Sequence, residues 1–121
     1  MNYLKVTDME AYSISFELSN QIWDIVIQWP HLAQKTIGAQ FIDAADSISA
    51  NIAEGFGRYH KKDKIKFYHY SRGSTSESID WPEKSIRRKL LNEDQYKHIK
   101  VELEKLPKAI NSLIKYTNLH L

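Results

Sequence analysis

The chain contains no cysteine, which removes disulfides, thiolate zinc sites and cysteine nucleophiles at once. It also lacks any apolar run approaching a membrane span, and its N-terminus does not follow the basic-then-apolar order of a secretory signal. A cytoplasmic protein without membrane contact is expected. No glutamate is followed by a histidine three residues on, so the Glu-x-x-His pairs with which helical bundles hold two metal ions are missing. His98 and Glu102 could share a helix face, and His60 and His69 flank a basic stretch, but neither pair has the ligand count of a metal site. No metal and no cofactor are expected.

Glycine is scarce, with 4 in the chain, and none of it is arranged for phosphate. Gly55-Phe56-Gly57 follows a helical pattern where a phosphate loop follows a strand, and no Walker lysine–serine pair accompanies it. Gly73-Ser74-Thr75-Ser76 falls in mid-helix without the pattern of a nucleophile elbow, and no Ser/His/Asp set can be argued. The expectation is a protein that is not an enzyme.

What remains is 121 residues with 42% hydrophobic and 26% charged content. That is enough for one folded domain over residues 1–121. The net charge of +2 hides an asymmetry: residues 1–57 hold two basic and seven acidic residues, a net −5, while residues 58–121 hold 15 basic and eight acidic, a net +7. Such a split suits a polyanionic partner, or an acidic face that meets a basic one within or between chains.

The hydrophobic period is helical throughout, and no stretch alternates as a strand would. A first helix is expected over residues 8–28, started by a capping box on Thr7 and Glu10. It carries two apolar stripes: Ala11, Leu18, Ile22, Ile25 and Trp29, and beside them Tyr12, Phe16, Trp23 and Val26. Two stripes imply that more than one side of this helix is covered. Trp29-Pro30 ends it.

A second helix is expected over residues 31–54, with Ile37, Phe41, Ala44, Ile48 and Ile52 as its core line and Ala45, Ser49 and Ala53 as a narrow face beside it. Gly55 and Gly57 read as its left-handed stop. The third begins near Lys61 and carries Ile65, Phe67, Tyr68, Ser71, Ser74, Ser78 and Trp81, with a kink or break at Pro82. Asn92 reads as the N-cap of a fourth, whose line Tyr96, Ile99, Leu103, Leu106, Ile110, Leu113 and Thr117 runs through Pro107 with a bend. Four long helices on short connections make an all-α, antiparallel up-and-down four-helix bundle.

The stretch DAADSISANIAEGFGRYHKKDKIKFYHYSRGSTSE, residues 43–77, joins the middle two helices. Asn51, Glu54 and Arg58 stand three and four apart, either as a polar site at the corner or as an ion pair with Asn51 serving the free backbone groups of a helix end. Glu77 is a candidate second partner for Arg58. Gly73 and Ser74 are read as small residues that let two helix backbones approach, since a mid-helix glycine costs about 1 kcal/mol against alanine and needs a packing reason.

Arg58, Lys61, Lys62, Lys64, Lys66 and Arg72 fall within 15 residues, interleaved with Tyr59, Phe67, Tyr68 and Tyr70. Lys84, Arg87, Arg88 and Lys89 add a second cluster. Clustered cations can displace counterions from a phosphate backbone, giving salt-sensitive, sequence-tolerant binding of RNA or DNA. The plainer alternative is a solvated face whose tyrosines belong to the core.

Gln40, Ala44, Ser47-Ile48, the block Asn51-Ile52-Ala53-Glu54-Gly55, Gly57-Arg58, Phe67, Gly73-Ser74 and Glu77 together resemble the four-helix-bundle proteins encoded in intervening sequences of bacterial 23S ribosomal RNA genes. They are also similar to the related accessory proteins of diversity-generating retroelements. The resemblance covers nearly the whole chain. It implies an up-and-down bundle that assembles as a homopentamer around a central channel, with no established enzymatic activity. For the retroelement branch it implies a basic surface engaging nucleic acid and a reverse transcriptase. An adaptor for such a protein, without nucleic-acid binding of its own, is the alternative function. Three departures stand out: His60 occupies the place of a serine or threonine helix cap, and Pro82 and Pro107 fall where the family's helices run unbroken.

Overall fold

The computed structural model describes residues 9–121, and over them the chain is helix and short connection with no strand. Helix α1 spans Glu10–Val26, α2 Ala39–Gly57, α3 Lys61–Arg87 and α4 Glu93–His120. Each packs on its neighbours in the order α1–α2–α3–α4 and α4 closes back on α1, which is the expected up-and-down bundle. The capping box on Thr7 lies outside the described residues.

The core forms where the periodic lines converge. Leu18 and Ile22 of α1, Phe41, Ile48 and Ile52 of α2, and Ile99, Leu103, Leu106 and Ile110 of α4 are almost wholly buried. Burial of each such side chain stabilises by about 1.5–3 kcal/mol relative to exposure. Of the two α1 stripes the second is covered only in part: Val26 is buried and Tyr12 packs against the core. Phe16 and Trp23 are about half exposed, at 45% and 51%, because the bundle's fourth side is already filled by α4.

The entry to α2 departs from a plain helix. A single turn at His31–Ala33 passes into a π-helical segment, Gln34–Gly38, before α2 proper. A Cβ on Gly38 would lie 2.7 Å from Val26 Cγ1 and 2.9 Å from the Ala33 carbonyl oxygen. The last residue of the widened turn thus packs against the last residue of α1.

Helix α3 contributes a different kind of face. Its buried residues are Tyr68, Ser71, Thr75, Ser78, Pro82 and Ser85, mostly small and polar. Ser71 Oγ donates across to the Ile48 carbonyl of α2 at 2.8 Å, while Thr75 and Ser78 donate to the carbonyls one turn earlier in their own helix. Small side chains let α2 and α3 approach, and these hydroxyls need no outside partner. The approach does not run through Gly73, contrary to expectation. Gly73 faces solvent, and a Cβ there would meet nothing within 4 Å; Ser74 is only half-buried.

Neither proline ends its helix, as expected of Pro107 and contrary to the break allowed for at Pro82. Helix α3 continues through Pro82 to Arg87, and α4 through Pro107 to His120. Helix α3 ends instead in a left-handed turn. Lys89 adopts φ 61°, its N–H bonds the Ile86 carbonyl at 3.1 Å, and the Leu90 N–H reaches the Ser85 carbonyl at 2.8 Å. This pair of bonds is a Schellman motif with lysine in the position glycine normally holds. Asn92 then caps α4 with Gln95 in a reciprocal box.

Candidate nucleic-acid interface

The basic run lies at the corner between α2 and α3, and the structure sorts its residues by direction. Helix α2 reaches Gly57, and Arg58 leaves it in extended geometry with φ −75°. No glycine has positive φ among the described residues, so the left-handed stop expected of Gly55 and Gly57 is not formed. Gly55 is inside the helix for a different reason: a Cβ would sit 2.7 Å from the Tyr68 ring and 2.9 Å from the Lys64 carbonyl oxygen. The Tyr68 ring fills that notch, and its burial pushes the phenol up to about 12. Gly57 has open space around it.

Arg58 turns back on α2. Its Nη2 pairs with Glu54 Oε1 at 2.7 Å, and the guanidinium lies 4.6 Å from the Phe67 ring centroid. The pairing expected of Glu54 is therefore present, and the one with Glu77 is not. Glu77 stands 16 residues along α3 from Lys61, about 24 Å at the rise of an α-helix, well out of reach of the corner. Asn51 donates to the Ser47 carbonyl at 2.8 Å, one turn back inside α2, and serves no free group at the helix end.

Three of the cations are occupied with holding helices. Lys64 points inward, donates to the Phe56 carbonyl at 2.7 Å, and is lowered by its burial. Lys61 reaches the Asn118 carbonyl at 3.3 Å, and Arg72 the Asn111 Oδ1 at 2.9 Å, both on α4. Lys61 and Lys64 thus satisfy carbonyls that the last turns of α4 and α2 leave without an intrahelical donor. His60 precedes α3 with no side-chain capping bond, as its departure from serine or threonine implied.

The remaining cations face out. Lys62 and Lys66 stand one turn apart on the solvent side of α3, and neither has an ion pair among the described residues. Lys66 Nζ lies 5.9 Å from the ring centroids of both Phe67 and Tyr70. Phe67 and Tyr70 meet edge to face at 5.4 Å. Of the tyrosines interleaved with the run, only Tyr68 joins the core. Tyr59 is 91% exposed and Tyr70 50%.

The second cluster sits elsewhere. Lys84 pairs with Asp80 and covers the Trp81 ring at 4.8 Å. Arg87, Arg88 and Lys89 are exposed at the far end of α3, whose 27 residues span about 40 Å. The second cluster of the sequence is thus a separate surface: a helix of this length puts the two patches at opposite ends of the bundle.

One further surface escaped the sequence reading. Trp23, Ile27, Ile42, Asp43 and Asp46 line a groove of about 440 Å³ between α1 and α2. Asp46 is raised there, by burial first and then by the charge of Asp43. The signal was the second α1 stripe, which reads equally well as core until the fourth side is seen to be taken. No group of three or more histidine, aspartate or glutamate side chains able to hold a metal occurs among the described residues. None of their helices is long and apolar enough to cross a membrane.

Comparison with known proteins agrees with the fold. The family model described as 23S rRNA-intervening sequence protein matches residues 7–112. A solved structure from Bacteroides thetaiotaomicron VPI-5482, titled a protein with unknown function from the S23 ribosomal protein family, superposes with a TM-score of 0.76. It is 22% identical, over 87% of this chain and 98% of that one, a likeness of fold. No curated relative matches the chain.

Proposed function

We propose, on the premise that the chain belongs to the 23S rRNA-intervening sequence protein family, that it is a non-enzymatic cytoplasmic protein. In this reading it assembles with copies of itself and binds RNA or DNA without sequence preference. The carrying observation is the corner patch: Lys62 and Lys66 are exposed and make no ion pair among the described residues, beside Arg58. Such cations gain free energy by releasing counterions from phosphate. Arg87, Arg88 and Lys89 form a second, separate foothold. Repetition of weak footholds around an assembly, the pentamer implied by the family resemblance, multiplies them into useful avidity.

The groove lined by Trp23 and Ile27 supports a second reading, a scaffold that recruits a protein partner such as a reverse transcriptase. The two separate in one experiment, a titration of labelled oligonucleotide by fluorescence anisotropy at stepped salt. Nucleic-acid binding predicts that log Kd rises linearly with log salt, with a slope near 0.7–0.9 per phosphate contact. The double charge reversal Lys62→Glu with Lys66→Glu should flatten that slope by about two contacts or abolish binding. Binding indifferent to salt, or none at low salt, leaves the scaffold.

A further inference from the structure

We infer that the α2–α3 corner is a stacking platform for single-stranded nucleic acid, selecting unpaired bases over duplex. This rests on the nucleic-acid reading above and adds what the basic charge alone does not specify, the strand state of the ligand.

The argument starts from the aromatic rings. A phosphate-binding face needs only cations, and a helix face made for water has no use for large rings. Here two of the rings, Phe67 and Tyr70, share one surface with cations. Arg58 lies over Phe67, Phe67 meets Tyr70 edge to face, and Lys66 sits between Phe67 and Tyr70. Tyr59, next to Arg58 in the chain, makes one ring contact, edge-on to His60 at 5.0 Å, and is otherwise open to solvent. Tyr70 is half exposed and meets Phe67 in a perpendicular ring contact.

These rings are held without being covered. The edge-to-face contact fixes the Tyr70 ring against Phe67, which is itself clamped by the Arg58 guanidinium. Bases offer a π-face of their own whichever base they are, so such a ring takes any unpaired base by stacking. A duplex keeps its bases stacked on each other and offers the ring nothing but backbone. Lys62 and Lys66 then meet the phosphates on either side. The acids within the patch are Glu54, already neutralised by Arg58, and Asp63 in the first turn of α3. The lysines therefore keep the local excess of positive charge.

The test compares dye-labelled oligo-dT, oligo-U and a duplex of equal length in anisotropy titrations at one low salt concentration. The wild-type protein should bind both single strands more tightly than the duplex, by on the order of tenfold. Tyr59→Ala and Tyr70→Ala should each weaken single-strand binding by about tenfold, the usual effect of removing one stacking ring, and leave duplex binding unchanged. Tyr70→Phe keeps the ring and should retain single-strand affinity. Tyr59 makes no buried contact, so Tyr59→Ala leaves the fold intact, which thermal melting by circular dichroism verifies. Equal affinity for single strand and duplex, or alanine variants that bind single strands like wild type, overturns the platform while leaving phosphate binding standing. Failure of all three probes to bind at low salt overturns both.

Discussion

At the scale of single residues, the corner is built by what glycine lacks at one position and not at another. Gly55 is needed because a methyl group would enter the Tyr68 ring and the Lys64 carbonyl at 2.7 and 2.9 Å. Neither can yield: the ring is buried, and the carbonyl belongs to the first turn of α3. Gly73 has no such neighbour and no positive φ. The two substitutions to alanine should therefore move stability in opposite directions. Gly55→Ala is expected to destabilise by about 1–3 kcal/mol, the usual cost of overpacking. Gly73→Ala is expected to stabilise by about 0.5–1 kcal/mol through helix propensity and a less flexible unfolded chain. Urea denaturation of the two variants measures both, and a Gly73→Ala protein less stable than wild type would restore the close approach once expected there.

At the scale of elements, the end of α3 is where local cost is most visible. A lysine at φ 61° lies in the left-handed region, which costs a residue with a Cβ about 1–2 kcal/mol. The two backbone bonds of the Schellman turn hold it there and deliver the chain to the Asn92 cap. Lys89→Gly should keep both bonds and raise stability by about 1 kcal/mol, read as a higher urea midpoint at unchanged m-value. A lower midpoint would mean that the Lys89 side chain contributes more than its backbone costs. This element also marks how far the sequence could be read. The four helices, the core line from Ile37 to Ile52 and the Asn92 cap are legible because burial with a helical period leaves a pattern in the chain. The π segment at Gln34–Gly38 leaves no such pattern, and the need for glycine at position 38, where a Cβ would meet Val26, exists only after packing. Pro82 reads as a kink or a break because its chemistry is local, while the buried face of α3 on which it lies is tertiary. The candidate site follows the same rule. Composition located the cations, but which of them are tied to the Asn118, Asn111 or Phe56 oxygens depends on where α4 and the end of α2 come to lie.

At the scale of the whole molecule, the bundle is complete as a core and incomplete as a surface. Tyr12, Phe16, Trp23 and Ile27 stand four, seven and four residues apart, one stripe down α1, with Tyr12 and Phe16 stacked at 5.7 Å. Trp23 and Ile27 continue into the groove that Ile42 floors and Asp43 and Asp46 rim. Exposed apolar side chains aligned on one helix and edged with charge are a candidate association surface. In the assembly proposed above, the acidic N-terminal half and basic C-terminal half would be complementary between copies, and a contact of unlike faces closes into a ring when its rotation permits. Phe16→Glu with Trp23→Glu places two carboxylates in the strip and touches no buried residue. The wild-type protein is expected to scatter light as a multiple of the 14.2 kDa chain, and the double variant as a single chain with an unchanged helical spectrum. Because weak sites bound together gain by effective concentration, the same variant should lose affinity for long oligonucleotides far more than for short ones that fill one corner. A wild-type mass of one chain would remove both expectations, and an unchanged mass in the variant would move the interface off α1.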